Sequence, residues 1–388
     1  MIPLHEPAFI GKEKQYLNEC IDSSYVSTVG KFVNKFENNI SKFIGSKYAL
    51  ALNSGTAALH LSLILANVKK NDEVIVPSIT FIAPINSIKY LNANPVFIDT
   101  DNYFNLNYHK LIKFIKEQTR TIKKNNKLVT YNIKTNKIIK AIILVHCFGN
   151  LANVIKVKKI LKNKNIKIIE DSAESFGSYF NVNKKKIYAG TIGDIGCLSF
   201  NGNKIITSGG GGMLLTNNKN IYDRGKYYAT QAKNDNLKYI HDEVGYNYKM
   251  TNIQAALGLG QFEKIQTFIK KKIKINFLYK QYLNNSVHKF YINENPVENN
   301  AFSINWLNIL RFDNTKISPQ LIIQKLKKNN IEARHVWCPN HLQKPYKYEQ
   351  KFEITNSKKL VETSVCLPSS YSLKEEDIKK ITNILNNL

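Results

Sequence analysis

Short apolar runs alternate with helix-forming segments along the first two thirds of this chain, and that alternation most limits its fold. Residues Tyr48–Leu52, Glu73–Pro77, 95–99, 138–145, 166–169 and 213–216 read as buried strands, with helices over 57–66 and Ala83–Tyr90 between them. Strands that alternate with helices predict an α/β domain. A lysine-rich helix over about 265–282 then leads to a smaller α/β unit with strands at 304–312 and 331–336 and a helix over Pro319–Lys328. The predicted division is a large domain, 1–265, and a linking helix with a small C-terminal domain, 266–388. A chain of 388 residues can bury cores of both sizes.

The formal net charge of +27 raises the question of a nucleic-acid or anionic-membrane partner. All but four of the 56 basic residues are lysines, scattered except for short runs such as 184–186 and 270–272. No zinc-finger, RNP or basic-zipper pattern accompanies them, so a solvated surface is the favoured reading and no specific nucleic acid is expected. Five well-separated cysteines without a C-x-x-C pair point to reduced core thiols rather than disulfides or a metal site. No apolar run reaches membrane-spanning length, and a cytoplasmic protein is expected.

Three stretches carry chemistry. In the first, Cys197-Leu198-Ser199-Phe200-Asn201-Gly202-Asn203-Lys204, an apolar run ends in a turn with one lysine, and the tetraglycine Gly209–Gly212 follows. A partly desolvated lysine amine attacks aldehydes, although a surface charge is the plain alternative. No G-x-x-x-x-G-K-[ST] pattern supports a nucleotide loop here. In the second, Asn53-Ser54-Gly55-Thr56, good capping residues open a helix; the same turn suits either a well-capped helix or a phosphate cradle. The third, Glu170-Asp171-Ser172-Ala173-Glu174, puts two carboxylates at the end of a strand, where open α/β sheets place their sites. His146 stands at a similar strand–loop junction, as a satisfied sheet-edge histidine or as a site residue.

Together these motifs resemble the DegT/DnrJ/EryC1/StrS family of pyridoxal-phosphate (PLP) sugar aminotransferases, from about Pro3 to Pro368. The resemblance implies the aspartate-aminotransferase-like fold (fold type I), with a central mixed sheet, a small C-terminal α/β domain and a homodimer sharing two active sites. It makes Lys204 the residue that carries the cofactor's aldehyde and shuttles a proton between the donor's α-carbon and the cofactor. Asp171 would keep the pyridine nitrogen protonated, so that the ring serves as an electron sink. Phe81 would stack on the ring and Ala173 would pack against it, while Ser54, Gly55, Thr56 and Ser199 would cradle the phosphate. Asn247, within Gly245-Tyr246-Asn247-Tyr248, would reach the neighbouring subunit's phosphate. Glu174 departs from the histidine or glutamine of many relatives, near the cofactor's phenolic oxygen. On the sugar-nucleotide side, His146, Arg334, Trp337 and His341 are the candidate contacts.

The expected reaction is transfer of an amino group, from L-glutamate, to a UDP- or GDP-linked 4-keto-6-deoxy-hexose bearing a 2-acetamido group. Glu174, the 199–212 stretch and a polar, hairpin-like insertion over 123–137 resemble the bacillosamine/legionaminic-acid subgroup of surface-glycan enzymes. The alternatives are a 3-aminotransferase or sugar dehydratase on the same fold, or a regulator that binds sugar nucleotides without turnover. Dehydratase relatives replace the lysine, usually with histidine, so Lys204 argues against that branch.

Overall fold

Successive strand residues face opposite sides of a sheet. In β1 (Tyr48–Leu52) this separates two cores, with Leu50 and Leu52 packed on one side and Ala49 and Ala51 on the other. The computed structural model describes residues 1–235, 237–284, 286–294, 300–313 and 316–388. Seven further strands join β1: β2 (Glu73–Pro77), β3 (Asn94–Ile98), β4 (Ile139–Val145), β5 (Lys167–Asp171), β6 (Ile195–Ser199), β7 (Gly212–Thr216) and β8 (Lys351–Phe352). Their spatial order is β1-β7-β6-β5-β4-β2-β3-β8. Strand β7 runs antiparallel to β1 and β6, and every other pair is parallel.

A largely parallel sheet is stable only when both faces are covered. Helix α1 (Gly55–Leu65), with Ala83–Tyr90 and Lys219–Ala229, covers one face. Helices Lys31–Ile44, Tyr108–Glu117, Val154–Ile160 and Asn252–Phe262 cover the other. Among the described residues no helix is long and apolar enough to cross a membrane.

Helix α2 (Ile265–Leu283) leads to a four-stranded sheet in the order Phe290–Ile292, Asn308–Phe312, Ser364–Leu367, Arg334–His335. Helices Pro319–Lys328 and Glu375–Asn386 share its core with α2. Three segments cross the expected 265/266 boundary. Strand β8 completes the edge of the large sheet, and Ala301–Phe302 pairs with Tyr179–Val182. At the other end Ile2 bridges Ile331, and the Leu4 N–H donates to Glu332.

The insertion differs in register from its expected place. Its hairpin runs Thr119–Lys124 to Lys127–Asn132, turning at Asn125 and Asn126, which take φ of 48° and 60°. Two consecutive left-handed residues make the tight turn that suits a hairpin, and asparagine tolerates that conformation well. The expected strand over 304–312 starts its ladder only at Asn308, and 331–336 divides into the Ile331 bridge to Ile2 and the short strand Arg334–His335.

Candidate active site

The parallel register lines up the C-terminal ends of three neighbouring strands. Val145 lies opposite Asp171, and Asp171 opposite Cys197. Beyond that edge lies a cavity of about 380 Å³, a volume suited to a small molecule. Its wall gathers Ser54, Gly55, Thr56, Phe81, Asp171, Ala173, Glu174, Ser199, Lys204, Arg334 and Trp337 from segments far apart in the chain.

The residues expected to cradle a phosphate are set by local backbone chemistry. Ser54 caps α1, its Oγ accepting the Ala57 N–H at 3.0 Å. The first N–H groups of a helix have no partner within it, so α1 offers donors to an anion at this end. A Cβ at Gly55 would stand 2.8 Å from Ser199 Cβ, and one at Gly212 would stand 2.3 Å from the Ser54 carbonyl oxygen. Glycine at both positions therefore lets β6, β7 and the head of α1 meet closely.

The acid and the amine lie deeper. Asp171 is 6 % exposed, and the Ala173 N–H donates to its Oδ1 at 3.1 Å. Burial pushes the Asp171 carboxyl up, opposed by that N–H and by the nearby Lys204 charge. A cationic N–H donor in the cavity would stabilise its ionised form, which is what a pyridinium supplies. Lys204 Nζ lies 3.3 Å from Glu174 Oε1 and 4.1 Å from the centroid of the Trp306 ring. Glu174 Oε2 accepts the Phe148 N–H at 2.8 Å, and burial pushes this carboxyl up while Lys204 draws it down. Glu174 thus has a definite contact in this structure, the lysine amine. Thr80, also on the wall, has a buried hydroxyl without a partner among the described residues, and Phe81 is 55 % exposed beside it. A free donor, an open aromatic face, an anion-ready helix end and a buried acid fit PLP.

Two expected substrate contacts lie elsewhere. His146 is fully buried, with Nε2 3.0 Å from Glu170 Oε2 and Nδ1 accepting the Ala152 N–H at 3.1 Å. Both ring nitrogens are used within the sheet edge, so His146 is off the cavity wall and serves as a structural clamp. His341 is held behind the wall by Ser78 Oγ, 2.6 Å from its Nδ1. The segment containing it divides in two: Arg334, His335 and Trp337 line the cavity, whereas Asn340 and His341 staple to Ser78 and Thr80. Arg334 is held at the mouth by Glu332, whose Oε1 accepts its Nε and Nη2 at 2.9 and 2.5 Å. Asn247 is exposed and does not line this chain's cavity; its carbonyl accepts from Asn53 Nδ2 at 3.1 Å.

Trp306, Phe148 and Thr80 are wall residues that sequence reasoning missed. Phe148 stacks on Trp337 with centroids 4.6 Å apart, and Phe81 stands edge-on to Trp337 at 6.1 Å. The one available signal was scarcity. The chain has two tryptophans, and both line the cavity.

A lysine and a buried aspartate at the C-terminal edge of a mixed sheet, with an anion-ready helix end opposite, define a PLP-dependent transferase of the aspartate-aminotransferase-like fold. The chain belongs to the DegT/DnrJ/EryC1/StrS aminotransferase family, whose model matches residues 8–386. It is 37% identical over 389 residues to the GDP-perosamine synthase of Escherichia coli O157:H7, covering 99% of this chain and 98% of that one. The GDP-perosamine synthase of Vibrio cholerae is 33% identical over 394 residues, with 100% and 99% covered. Among solved structures, the aminotransferase TlmJ from Streptoalloteichus hindustanus superposes with a TM-score of 0.87 at 21% identity, covering 100% of this chain and 98% of that one. The enzyme is a PLP-dependent aminotransferase.

Proposed function

We propose that this enzyme aminates C4 of a nucleotide-linked 4-keto-6-deoxy-hexose, with L-glutamate as donor, in surface-glycan biosynthesis. The observation that carries the site assignment is the convergence of Lys204, Asp171, Ser54, Gly55, Thr56 and Ser199 on one cavity. When bound, PLP supplies an aldehyde that captures the amino group and a ring that accepts the electrons of a breaking C–H bond. Lys204 holds and moves the proton at Nζ, steadied by Glu174. Asp171 would supply the negative charge that keeps the ring nitrogen protonated. Ser54, Thr56, Ser199 and the head of α1 would hold the phosphate, and Phe81 and Ala173 would pack against the ring.

At the mouth, Arg334 suits a diphosphate and Trp337 suits the sugar or base. The likeness to two GDP-perosamine synthases supports GDP as the nucleotide, while Glu174 and the insertion support the 2-acetamido sugars of the bacillosamine/legionaminic branch. Exposed Asn247 supports a homodimer in which each subunit completes its partner's phosphate site. The large domain that holds PLP, residues 1–265, and the small domain, 266–388, then close the cavity from two sides.

The test is a spectrum of the holoenzyme before and after L-glutamate, followed by a screen of GDP- and UDP-linked ketosugars. Glutamate should abolish the visible band of the lysine-bound cofactor, and one ketosugar should restore it with formation of the 4-amino product. A band that ignores glutamate excludes it as donor. Restoration by a 3-keto but not a 4-keto sugar overturns the C4 assignment.

A further inference from the structure

Lys204 sits in an irregular turn after β6, and its own N–H donates to the Asn201 carbonyl, at 3.0 Å. A flexible lysine on such a turn needs an outside support to present its amine reproducibly. Trp306 provides two. Its Nε1–H donates to the Asn203 carbonyl at 2.7 Å, fixing the residue before the lysine, and its ring lies under Nζ at 4.1 Å. The indole is 2 % exposed and is itself pinned. The Trp306 carbonyl accepts from Lys272 Nζ at 2.9 Å, and His5 tilts against the ring at 6.0 Å. Lys272 is fully enclosed on α2 and also donates to the Ser369 carbonyl at 2.5 Å. Trp306 therefore reaches the lysine turn from beyond α2, not from the large sheet.

An aromatic face attracts an ammonium and has little pull on a neutral amine. Opposite it, 3.3 Å from Nζ, stands the Glu174 carboxyl. We propose that Trp306 is a positioning residue whose face, with Glu174, forms the resting place of the Lys204 ammonium when the amine is not engaged with the cofactor. From there the amine is in place to take the donor's α-proton once it has lost its own. This rests on the assignment of Lys204 above.

The test uses W306L and W306F holoenzymes and the amino acid that bleaches the wild-type visible band, supplied with hydrogen or deuterium on its α-carbon. W306L should retain the visible band, bleach about tenfold more slowly, as loss of a contact worth about 1.4 kcal/mol requires, and show a larger deuterium isotope effect. KM for the nucleotide sugar should stay within about twofold, since only a step made through Lys204 is affected. W306F keeps a face and loses the N–H to Asn203, so it should fall between W306L and wild type. Should W306L fail to fold, a raised isotope effect in W306F supports the proposal and a wild-type value overturns it. A W306L enzyme that melts earlier but bleaches at the wild-type rate and isotope effect overturns it in favour of simple packing. A raised KM with unchanged bleaching overturns it in favour of a substrate wall. Borohydride fixing the cofactor on a residue other than 204 would instead remove the Lys204 assignment.

Discussion

His60 Nδ1 lies 3.0 Å from the hydroxyl of Tyr248, so α1, whose head lines the cavity, is bonded to the segment carrying Asn247. The other ring nitrogen is buried without a partner among the described residues, and Tyr90 and Tyr246 stand edge-on to the ring. Burial pushes the imidazole down to about 4.

A depressed histidine binds a proton less readily folded than unfolded, so the enzyme should lose stability as pH falls below about 6.5, until about 4. The slope from this one group is up to about 1.4 kcal/mol per pH unit. Denaturant unfolding at several pH values should give a shallower acid loss for His60→Gln. An unchanged slope would show that His60 does not control it.

Gly55→Ala should weaken PLP binding by about tenfold or more, because the new methyl group drives Ser199 and the helix head apart. Titration of the cofactor's visible absorbance reads this directly. Unchanged affinity would mean that the contact relaxes without disturbing the cradle.

Glu170 is a buried anchor. Its Oε1 accepts the N–H groups of Ile192 and Gly193 at 2.7 and 2.6 Å, and its Oε2 that of Gly190 at 3.0 Å, beside His146. Burial pushes the carboxyl up, but these bonds together hold it below the ordinary value. A depressed carboxyl stabilises the fold above its unfolded value and loses that contribution as pH falls below about 4.5. Glu170→Gln should cost about 3 kcal/mol near neutrality, with the difference from wild type shrinking in acid. A cost under about 0.5 kcal/mol in denaturant melts would refute the anchor.

Mixed dimers test the shared site. Lys204→Ala and Asn247→Ala should each be inactive or nearly so alone. A hybrid of the two places both lesions in one of its sites and leaves the other intact. Co-refolding should therefore restore up to about half of the wild-type activity per hybrid. No recovery, in a hybrid proven by mass, would place Asn247 outside the partner's site.

Much of the large sheet and its helices was legible because buried strands and short helices are local: Tyr48–Leu52, Glu73–Pro77 and Ala83–Tyr90 fall where hydrophobic runs and turns put them. The cavity residues Lys204, Asp171 and Ser54 were legible as motifs. What local patterns do not encode is the contact between distant segments. Trp306 meets Lys204 from a stretch that reads as the start of a strand but stays irregular until Asn308, and a strand pattern does not say which distant turn a side chain touches. His146 and His341 were misplaced because chemistry at a strand or loop end does not reveal whether the ring faces the cavity or its backing. In both cases the partners, Glu170 and Ser78, decide it.

The short strand β8 has a consequence for engineering. It belongs by sequence to the C-terminal region and by pairing to β3. The two lobes are therefore interlocked modules, not detachable ones. Grafting residues 266–388 from a relative, to change which sugar is accepted, would import an edge of the recipient's own central sheet. Such a chimaera would need the donor's match to β3 as well as its cavity wall.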